Sequence, residues 1–193
     1  DGLIRAENGS TVTLTSNASV TGGTLRSEGT GNLNVAASTT VFVSDVTIEG
    51  KITQNNNSDF YMDGAIDNQG EINPVSAGNL TDIVVDMATT FSGGGTITLG
   101  GVSDNNRIVD QLGNDGVATN VDNLIQGRGQ IGANLVKMIN QTGGVIDANN
   151  PDGSITMDPI NDNAMINRGL LTASDGGTLV LTSGPFDNVD GLI

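Results

Sequence analysis

The chain has 193 residues, a formal net charge of −15 and a pI near 4.1, and it contains no Cys, His or Trp. Disulfides, thiolate metal sites and every mechanism that uses an imidazole are therefore excluded. An acidic chain repels phosphate groups, so nucleic acid is not an expected partner, and no apolar run approaches the ~20 residues of a membrane span.

The choice of polar residues indicates an all-β protein. Gly contributes 28 residues, and Asn, Thr, Ser and Asp make up most of the polar surface. Glu and Lys are the common surface residues of helices, but Lys occurs only at Lys51 and Lys137. Asp and Asn prefer turns, so the chain combines turn formers with β-branched residues.

A strand–turn–strand unit recurs along the chain from its first residues. In 2–16 an apolar residue stands two places after Gly2, a polar turn follows, and two apolar residues then alternate with polar ones. The pattern returns in 23–35 and closes in 169–183, which aligns with 2–16 without gaps. Further starts, each a Gly followed two places later by Ile, are at Gly50, Gly70, Gly129 and Gly144.

This repeat predicts a parallel β-solenoid with about 15–25 residues per coil, forming a single elongated domain over residues 1–193. A single alternating strand buries only one face, so the units must stack to enclose a core. The segment 100–121 fits the unit least well and is expected to be an excursion loop or an irregular coil. The segment 149–163, with Pro151 and Pro159, is expected to be a second long corner. The alternative is a β-sandwich, which also has short, regularly spaced strands.

Asn recurs just before the Gly that opens a unit. Such residues suit corners that need a left-handed backbone, and stacked Asn side chains at equivalent corners can form amide ladders. The candidates for a ladder are Asn68, Asn140, Asn167 and Asn188. The other interpretation is that each is an ordinary turn residue.

Three segments resemble repeats of very long bacterial surface and secreted proteins, namely 123–132, 139–149 and 167–173 with the strand that ends at Leu181. These repeats are of the autotransporter passenger and filamentous haemagglutinin-like adhesin type. The resemblance implies a right-handed parallel β-helix, secretion, and a place on or outside the cell. It implies no functional residues, because the repeats of that family are scaffold.

The two ends of the chain are similar, since 1–4 and 190–193 both read Asp-Gly-Leu-Ile. With no initiating Met and no signal peptide, this favours a segment of a longer repetitive chain. Open solenoid ends are unpaired strand edges, so an end-to-end fibre or homo-oligomer is expected.

Candidate chemistry is sparse. Arg5 and Arg26 fall at equivalent repeat positions, as do Glu7 and Glu28, which favours an exposed ladder of alternating charge over a catalytic cleft. Segments 110–115 and 147–158 are acidic loops that would offer oxygen ligands for weak calcium binding, but neither has EF-hand spacing.

Two further patterns raise ligand hypotheses. The Thr-x-Thr pairs within 11–15 and at Thr96 and Thr98 are the kind of array that binds ice, but they are not kept from unit to unit. Many polysaccharide-degrading enzymes are parallel β-helices, and a groove with clustered Asp and aromatic residues would favour that activity.

The sequence therefore predicts a non-catalytic extracellular or cell-surface β-solenoid without catalytic residues or an obligatory cofactor. It would act as a stalk, surface filament or matrix fibre, with cell-surface or matrix glycans as candidate partners. The alternatives are a carbohydrate-binding or polysaccharide-degrading β-helix and an ice-binding solenoid.

Overall fold

The computed structural model describes residues 2–110, 116–160 and 165–193, and this part of the chain contains 23 β-strands and no helix. The same residues hold no helix with the length and apolar character of a membrane span. In chain order the strands are β1 (Leu3–Ala6), β2 (Thr11–Leu14), β3 (Ser19–Thr21), β4 (Thr24–Ser27), β5 (Asn32–Val35), β6 (Thr40–Ser44), β7 (Thr47–Glu49), β8 (Lys51–Asn55), β9 (Asp59–Asn68), β10 (Glu71–Ser76), β11 (Thr81–Ser92), β12 (Thr96–Gly101), β13 (Asn106–Val109), β14 (Val117–Asn120), β15 (Leu124–Gly127), β16 (Gly129–Ile131), β17 (Lys137–Asn140), β18 (Val145–Ala148), β19 (Ser154–Met157), β20 (Met165–Asn167), β21 (Leu170–Ala173), β22 (Thr178–Leu181) and β23 (Phe186–Asp187).

The strands stack into about eight coils of ~23 residues, and each coil runs across three faces. The first face holds β1, β4, β7, β14, β17, β20 and β23 with the second halves of β9 and β11. The second face holds β2, β5, β8, β10, β12, β15, β18 and β21. The third face holds β3, β6, β13, β16, β19 and β22 with the first halves of β9 and β11. Because β9 and β11 run through a corner, hydrogen bonding joins the first and third faces into one 15-stranded sheet.

Every pairing between these strands is parallel, for example β1 with β4 and β2 with β5. The predicted parallel β-solenoid and its range of 15–25 residues per coil are therefore confirmed. The β-sandwich alternative is wrong, because a sandwich is built from antiparallel strands. The right-handed sense implied by the resemblance stays a prediction.

Aliphatic side chains stack in register inside each face. On the second face one inward residue per coil forms a continuous column through all eight strands. The column consists of Val12, Leu33, Ile52, Ile72, Ile97, Ile125, Ile146 and Leu171. All but Val12 are buried, and four of them, Ile52, Ile72, Ile146 and Leu171, stand two places after a Gly that opens a unit, so this position is a core position, as the repeat predicts.

The segment 100–121 contains ordinary solenoid strands. β12 extends to Gly101, β13 continues the third face and β14 continues the first. Residues 111–115 lie outside the described residues, so an excursion there stays a prediction. The segment 149–163 was expected to be one long corner, and this is wrong in part, because β19 occupies 154–157 and pairs with β16 and β22.

A ladder of buried Asn side chains runs along the inner side of the first face. Asn120 Nδ2 donates to Asn140 Oδ1 at 3.0 Å, Asn140 Nδ2 donates to Asn167 Oδ1 at 2.9 Å, and Asn167 Nδ2 donates to Asn188 Oδ1 at 2.6 Å. The prediction is confirmed for Asn140, Asn167 and Asn188. Asn68 is not in this column, because the residue of β11 that lies in register with Asn120 of β14 is Phe91, and the column of Asn side chains ends there.

Asn68 joins the ladder indirectly. Its Nδ2 donates to Asn123 Oδ1 at 2.7 Å, and the backbone N–H of Asn123 donates to Asn120 Oδ1 at 2.9 Å. The amides also bond to corner carbonyls, such as Gly144 O from Asn140 Nδ2 at 3.1 Å. The ladder therefore adds a second hydrogen bond to carbonyls such as Gly144 O, which already accepts from the Leu170 N–H, and it supplies an acceptor for the buried N–H of Asn123.

We expect Asn140→Ala to lower the free energy of unfolding by about 2–3 kcal/mol, because it leaves buried partners of Asn140 unsatisfied above and below it. Asn140 is fully buried. Asn34→Ala is the matched control, since Asn34 lies outward on β5, and it should change stability by no more than ~0.5 kcal/mol. Urea unfolding followed by circular dichroism measures both. Equal stabilities for the two variants would contradict a structural role for the ladder.

Glycine is required at corners where successive coils touch. A Cβ on Gly70 would overlap the carbonyl oxygen and nitrogen of Gly50 one coil below. We expect Gly70→Ala to destabilise the fold by about 1–3 kcal/mol through this overlap. Gly2→Ala introduces the same methyl group where no atom lies within 4 Å, so its melting temperature should match that of the wild type. A melting temperature of Gly70→Ala equal to that of Gly2→Ala would show that the corner yields without cost.

Candidate functional site

The outward side of the third face carries a group of polar and aromatic side chains on four neighbouring strands. Parallel pairing places Asp59 of β9 beside Asp82 of β11, and Asp82 beside Arg107 of β13. In the adjacent outward row Phe42 of β6 pairs with Tyr61 of β9. These five residues, Phe42, Asp59, Tyr61, Asp82 and Arg107, are here called the acidic–aromatic groove.

The strand pattern explains why these side chains face outward. In β9 the burial alternates, so that Phe60 and Met62 fill the core while Asp59 and Tyr61 lie on the opposite side. Neighbouring strands in a sheet lie about 4.8 Å apart, and register therefore brings one outward side chain per coil into contact with the next.

Asp82 and Arg107 form a bidentate ion pair. Arg107 Nε donates to Asp82 Oδ1 at 2.7 Å, and Arg107 Nη2 donates to Asp82 Oδ2. The side chains are only 9% and 18% exposed for Asp82 and Arg107 respectively. The hydrogen bond to Asp82 and its negative charge raise the pKa of Arg107 above its usual value. Gln54, inside the core, donates from Nε2 to the Asp82 carbonyl oxygen at 2.9 Å, so the backbone under the pair is also fixed.

Asp59 differs from its neighbour, since no described residue donates a hydrogen bond to its carboxyl group. Partial burial raises the pKa of Asp59, the negative charge of Asp82 raises it further, and the positive charge of Arg107 opposes both effects. The groove therefore contains one carboxylate that is held by an arginine and one half-buried carboxyl group that is available to a ligand.

Phe42 and Tyr61 form an aromatic pair beside these carboxylates. Their ring centroids are 4.9 Å apart with an angle of 31° between the ring planes. Phe42 is 38% exposed, although it is a large apolar side chain. The two rings make a partly exposed apolar surface along the solenoid axis.

Two hollows meet at the groove, and both are lined by Asp59 and Asp82. The larger has a volume of about 660 Å³ and is otherwise lined by Leu80 and by small polar residues such as Asn17 and Thr40. The smaller has a volume of about 500 Å³ and reaches Tyr61 and Arg107. The two hollows adjoin at Asp59 and Asp82 and form one depression, and Phe42 lies beside it, since it lines neither hollow.

Sequence reasoning did not find this groove. Asp82 and Arg107 are 25 residues apart, about one coil, and nothing near either residue is a recognisable motif. The signal that would have found them is the recurrence of charged and aromatic residues at coil spacing, which requires the register of each coil to be known.

The predicted charge ladder is present near the first coils. Arg5 pairs in register with Arg26, and Arg26 with Glu49. Arg26 Nη1 lies 3.3 Å from Glu28 Oε1, Arg5 bonds to Glu7, and Arg5 Nη1 lies 3.9 Å from Glu28 Oε1. These side chains are substantially exposed, so each pair contributes little stability, and the row does not form a cleft.

The carboxylates at the two ends of the predicted acidic loop 147–158 lie on different faces. Asp147 lies on β18 of the second face, whereas Asp158 follows β19 of the third face. Asp110 is buried and accepts a hydrogen bond from the Gly116 backbone at 2.6 Å, while residues 111–115 lie outside the described residues. Within the described ranges no three carboxylates lie close enough to hold a metal ion. Weak calcium binding stays a prediction.

The Thr-x-Thr pairs lie on the second face but do not extend into a uniform array. Thr13 and Thr98 belong to an outward row in which other residue types intervene. In coil order the row is Thr13, Asn34, Thr53, Asn73, Thr98, Gln126, Asp147 and Thr172. A row of mixed polar residues lacks the regular methyl and hydroxyl spacing that the ice-binding alternative needs.

No family model matches the chain, and no curated protein or solved structure is significantly similar to it. The chain is therefore assigned to the β-solenoid fold and to no family.

Two Asp→Asn substitutions are expected to change stability at pH 7 in opposite directions. The pKa of Asp59 is raised from 3.8 on folding, so its ionised form destabilises the folded state as the pH rises from 3.8 through the folded pKa. Asp59→Asn should therefore raise the melting temperature at pH 7, and the gain should disappear below pH 3.8.

Asp187 is the matched comparison. The hydrogen bond from Arg168 lowers the pKa of Asp187 below 3.8, so its ionised form stabilises the folded state and that contribution is lost as the pH falls through the folded pKa. Asp187→Asn should lower the melting temperature at pH 7. Both variants lose one negative charge, so a common direction of change would mean that net charge, and not these local contacts, decides the effect. Thermal melts at a series of pH values measure the melting temperatures of both variants and of the wild type.

Proposed function

We propose that this chain is a non-catalytic structural and adhesive rod that acts outside the cell, at a bacterial surface or in a matrix. The observation that carries the proposal is the state of the two ends of the stack. β1, β2 and β3 each pair with a strand on one side only, and β22 and β23 do the same at the other end. Further coils, of a longer chain or of another copy, would continue the backbone ladders at these edges.

The side chains at these edges support continued stacking. The inward residues Ile4, Val12 and Val20 of the first coil are only partly buried, whereas their in-register equivalents on the second coil, Leu25, Leu33 and Val43, are buried. Ile193, at the last coil, is 65% exposed. Stacked neighbours would bury these residues as the internal coils bury their equivalents. Further solenoid coils, from the same kind of chain, are therefore the proposed occupants of both edges.

The surface charge fits an extended assembly. The net charge of −15 favours solubility and opposes sideways aggregation of rods, whereas stacking at the ends involves backbone ladders and aliphatic side chains. About eight coils at roughly 4.8 Å per coil give a unit about 40 Å long. The placement outside the cell rests on the acidic, Asn- and Thr-rich composition and on the resemblance to bacterial surface repeats.

The acidic–aromatic groove supports binding over hydrolysis. Glycoside hydrolysis generally uses one carboxylic acid and a second, free carboxylate. Here both Asp82 oxygens accept hydrogen bonds from Arg107, so only Asp59 is available among the pair. The polysaccharide-degrading alternative is therefore not favoured.

Electron microscopy of the purified protein at neutral pH, with and without millimolar calcium, tests the rod proposal. We expect filaments with a layer spacing of ~4.8 Å along the axis. Filaments only with calcium would additionally assign a ligand role to the acidic loops. Separate short rods under all conditions would contradict end-to-end assembly.

An edge variant sharpens this test. The Ser10 and Leu14 carbonyls accept hydrogen bonds from the second coil, so by alternation the N–H of Thr13 points to the open edge. Thr13→Pro removes that donor and should shorten or abolish filaments while the monomer stays folded. Thr13→Ala keeps the backbone donor and should assemble like the wild type.

A further inference from the structure

We propose that the acidic–aromatic groove binds a neutral oligosaccharide, with sugar rings on the Phe42–Tyr61 surface and sugar hydroxyl groups bonded to Asp59 and to the Asp82–Arg107 pair. The inference rests on the proposed adhesive role and names its ligand class and its site. It depends on four features of the groove, which are its exposed rings, its polar groups, its charge and its length.

The outward position of the two rings is the least expected feature for a scaffold. The chain has only four Phe and one Tyr, and Phe60 and Phe91 are fully buried in the core. Phe42 and Tyr61 instead lie outward and in contact, where a Thr or Asn would satisfy the strand equally well. Aromatic faces carry partial negative charge and attract the partially positive C–H groups of a sugar ring.

The polar groups beside the rings match sugar hydroxyls. Hydroxyl groups both donate and accept, so they bind best where acceptors and donors lie together. Asp59 offers acceptor oxygens that no described residue occupies, and the Asp82–Arg107 pair presents a planar acceptor–donor edge held rigid by two hydrogen bonds. A ligand site of this kind combines apolar area with a few fixed polar groups.

Charge disfavours acidic ligands. Acidic sugars would be repelled by the chain's net charge of −15, and the one guanidinium in the groove is already paired with Asp82. The guanidinium of Arg107 is therefore not free to pair with a carboxylate or sulfate group of a ligand. A cationic ligand is the competing chemistry, and it is included below as an outcome.

Length selects an oligosaccharide over a single sugar. The hollows of about 660 and 500 Å³ share Asp59 and Asp82, so the depression continues on both sides of these residues. Thr40, Asp59, Asp82 and Arg107, on four successive strands of the third face, lie in one outward row along the solenoid axis. A chain of several sugar rings lying along this row would contact residues from four successive strands.

Tyr61 makes the test direct. It is the only Tyr and the chain has no Trp, so emission excited in the tyrosine band reports on the groove alone. We would titrate the protein with cellohexaose, xylohexaose, mannohexaose and chitohexaose to about 1 mM, the range of weak binding. Hexagalacturonate and hexalysine serve as acidic and basic probes. We expect at least one neutral probe to change the emission saturably, and neither charged probe to do so.

Variants then locate the binding. Phe42→Ala and Asp59→Asn should each weaken binding of the active probe by roughly tenfold, the loss of one good contact. Asp67→Asn removes the same charge from the first face, and Thr13→Ala alters the second face, so both should bind like the wild type. Binding by Tyr61→Ala is measured by calorimetry, because this variant lacks the fluorescent Tyr, and we expect it to be at least tenfold weaker than binding by the wild type. Circular dichroism confirms that each variant is folded.

Binding of hexalysine or hexagalacturonate alone, absence of any response to about 1 mM, or equal binding by all variants would each overturn the proposal. The result is independent of the rod test. Filaments without oligosaccharide binding would support the rod proposal and contradict this binding site. Oligosaccharide binding by short separate rods would support the binding site and contradict end-to-end assembly.

Discussion

The in-register stacking of inward side chains is the constraint on which the whole structure depends. A single coil of ~23 residues encloses almost no volume and cannot bury its own aliphatic residues. Each inward Leu, Ile or Val is buried mainly by its counterparts one coil above and below. The strands, the corners and the Asn ladder all keep successive coils in this register. A shift of one residue would turn every core side chain outward.

The fold could be predicted from the sequence because alternation and repeated Gly positions are local signals. These signals do not predict which of the three faces each strand of the repeat occupies. Segments 2–16 and 169–183 align without gaps, yet the first supplies β1 and β2 on the first and second faces, and the other supplies β21 and β22 on the second and third. All three faces use the same alternation, so the sequence indicates a strand–corner–strand unit without indicating which face it occupies.

The same ambiguity explains which candidate residues sequence reasoning found. The Asn ladder was predicted from Asn followed by Gly, and this rule missed Asn120, whose corner continues as Val-Asp-Asn. It also placed Asn68 in a column that Phe91 and Ile66 occupy at that level. The groove needs more information still, because Asp59, Asp82 and Arg107 become neighbours only when the lengths of the intervening corners are known.

Alternation also separates the residues that build the core from those that face outward. Inward residues are fixed by the stack, whereas outward residues are free to carry other chemistry without altering the core. The acidic–aromatic groove uses this freedom and gains rigidity from it, since its side chains stand on strands paired on both sides. A ligand that binds such a surface orders few new groups, so little of the binding free energy is lost to conformational entropy. A recognition site on the flank of the proposed rod would not use the strand edges at which further coils would stack, so the proposed assembly and the proposed adhesion are compatible in one molecule.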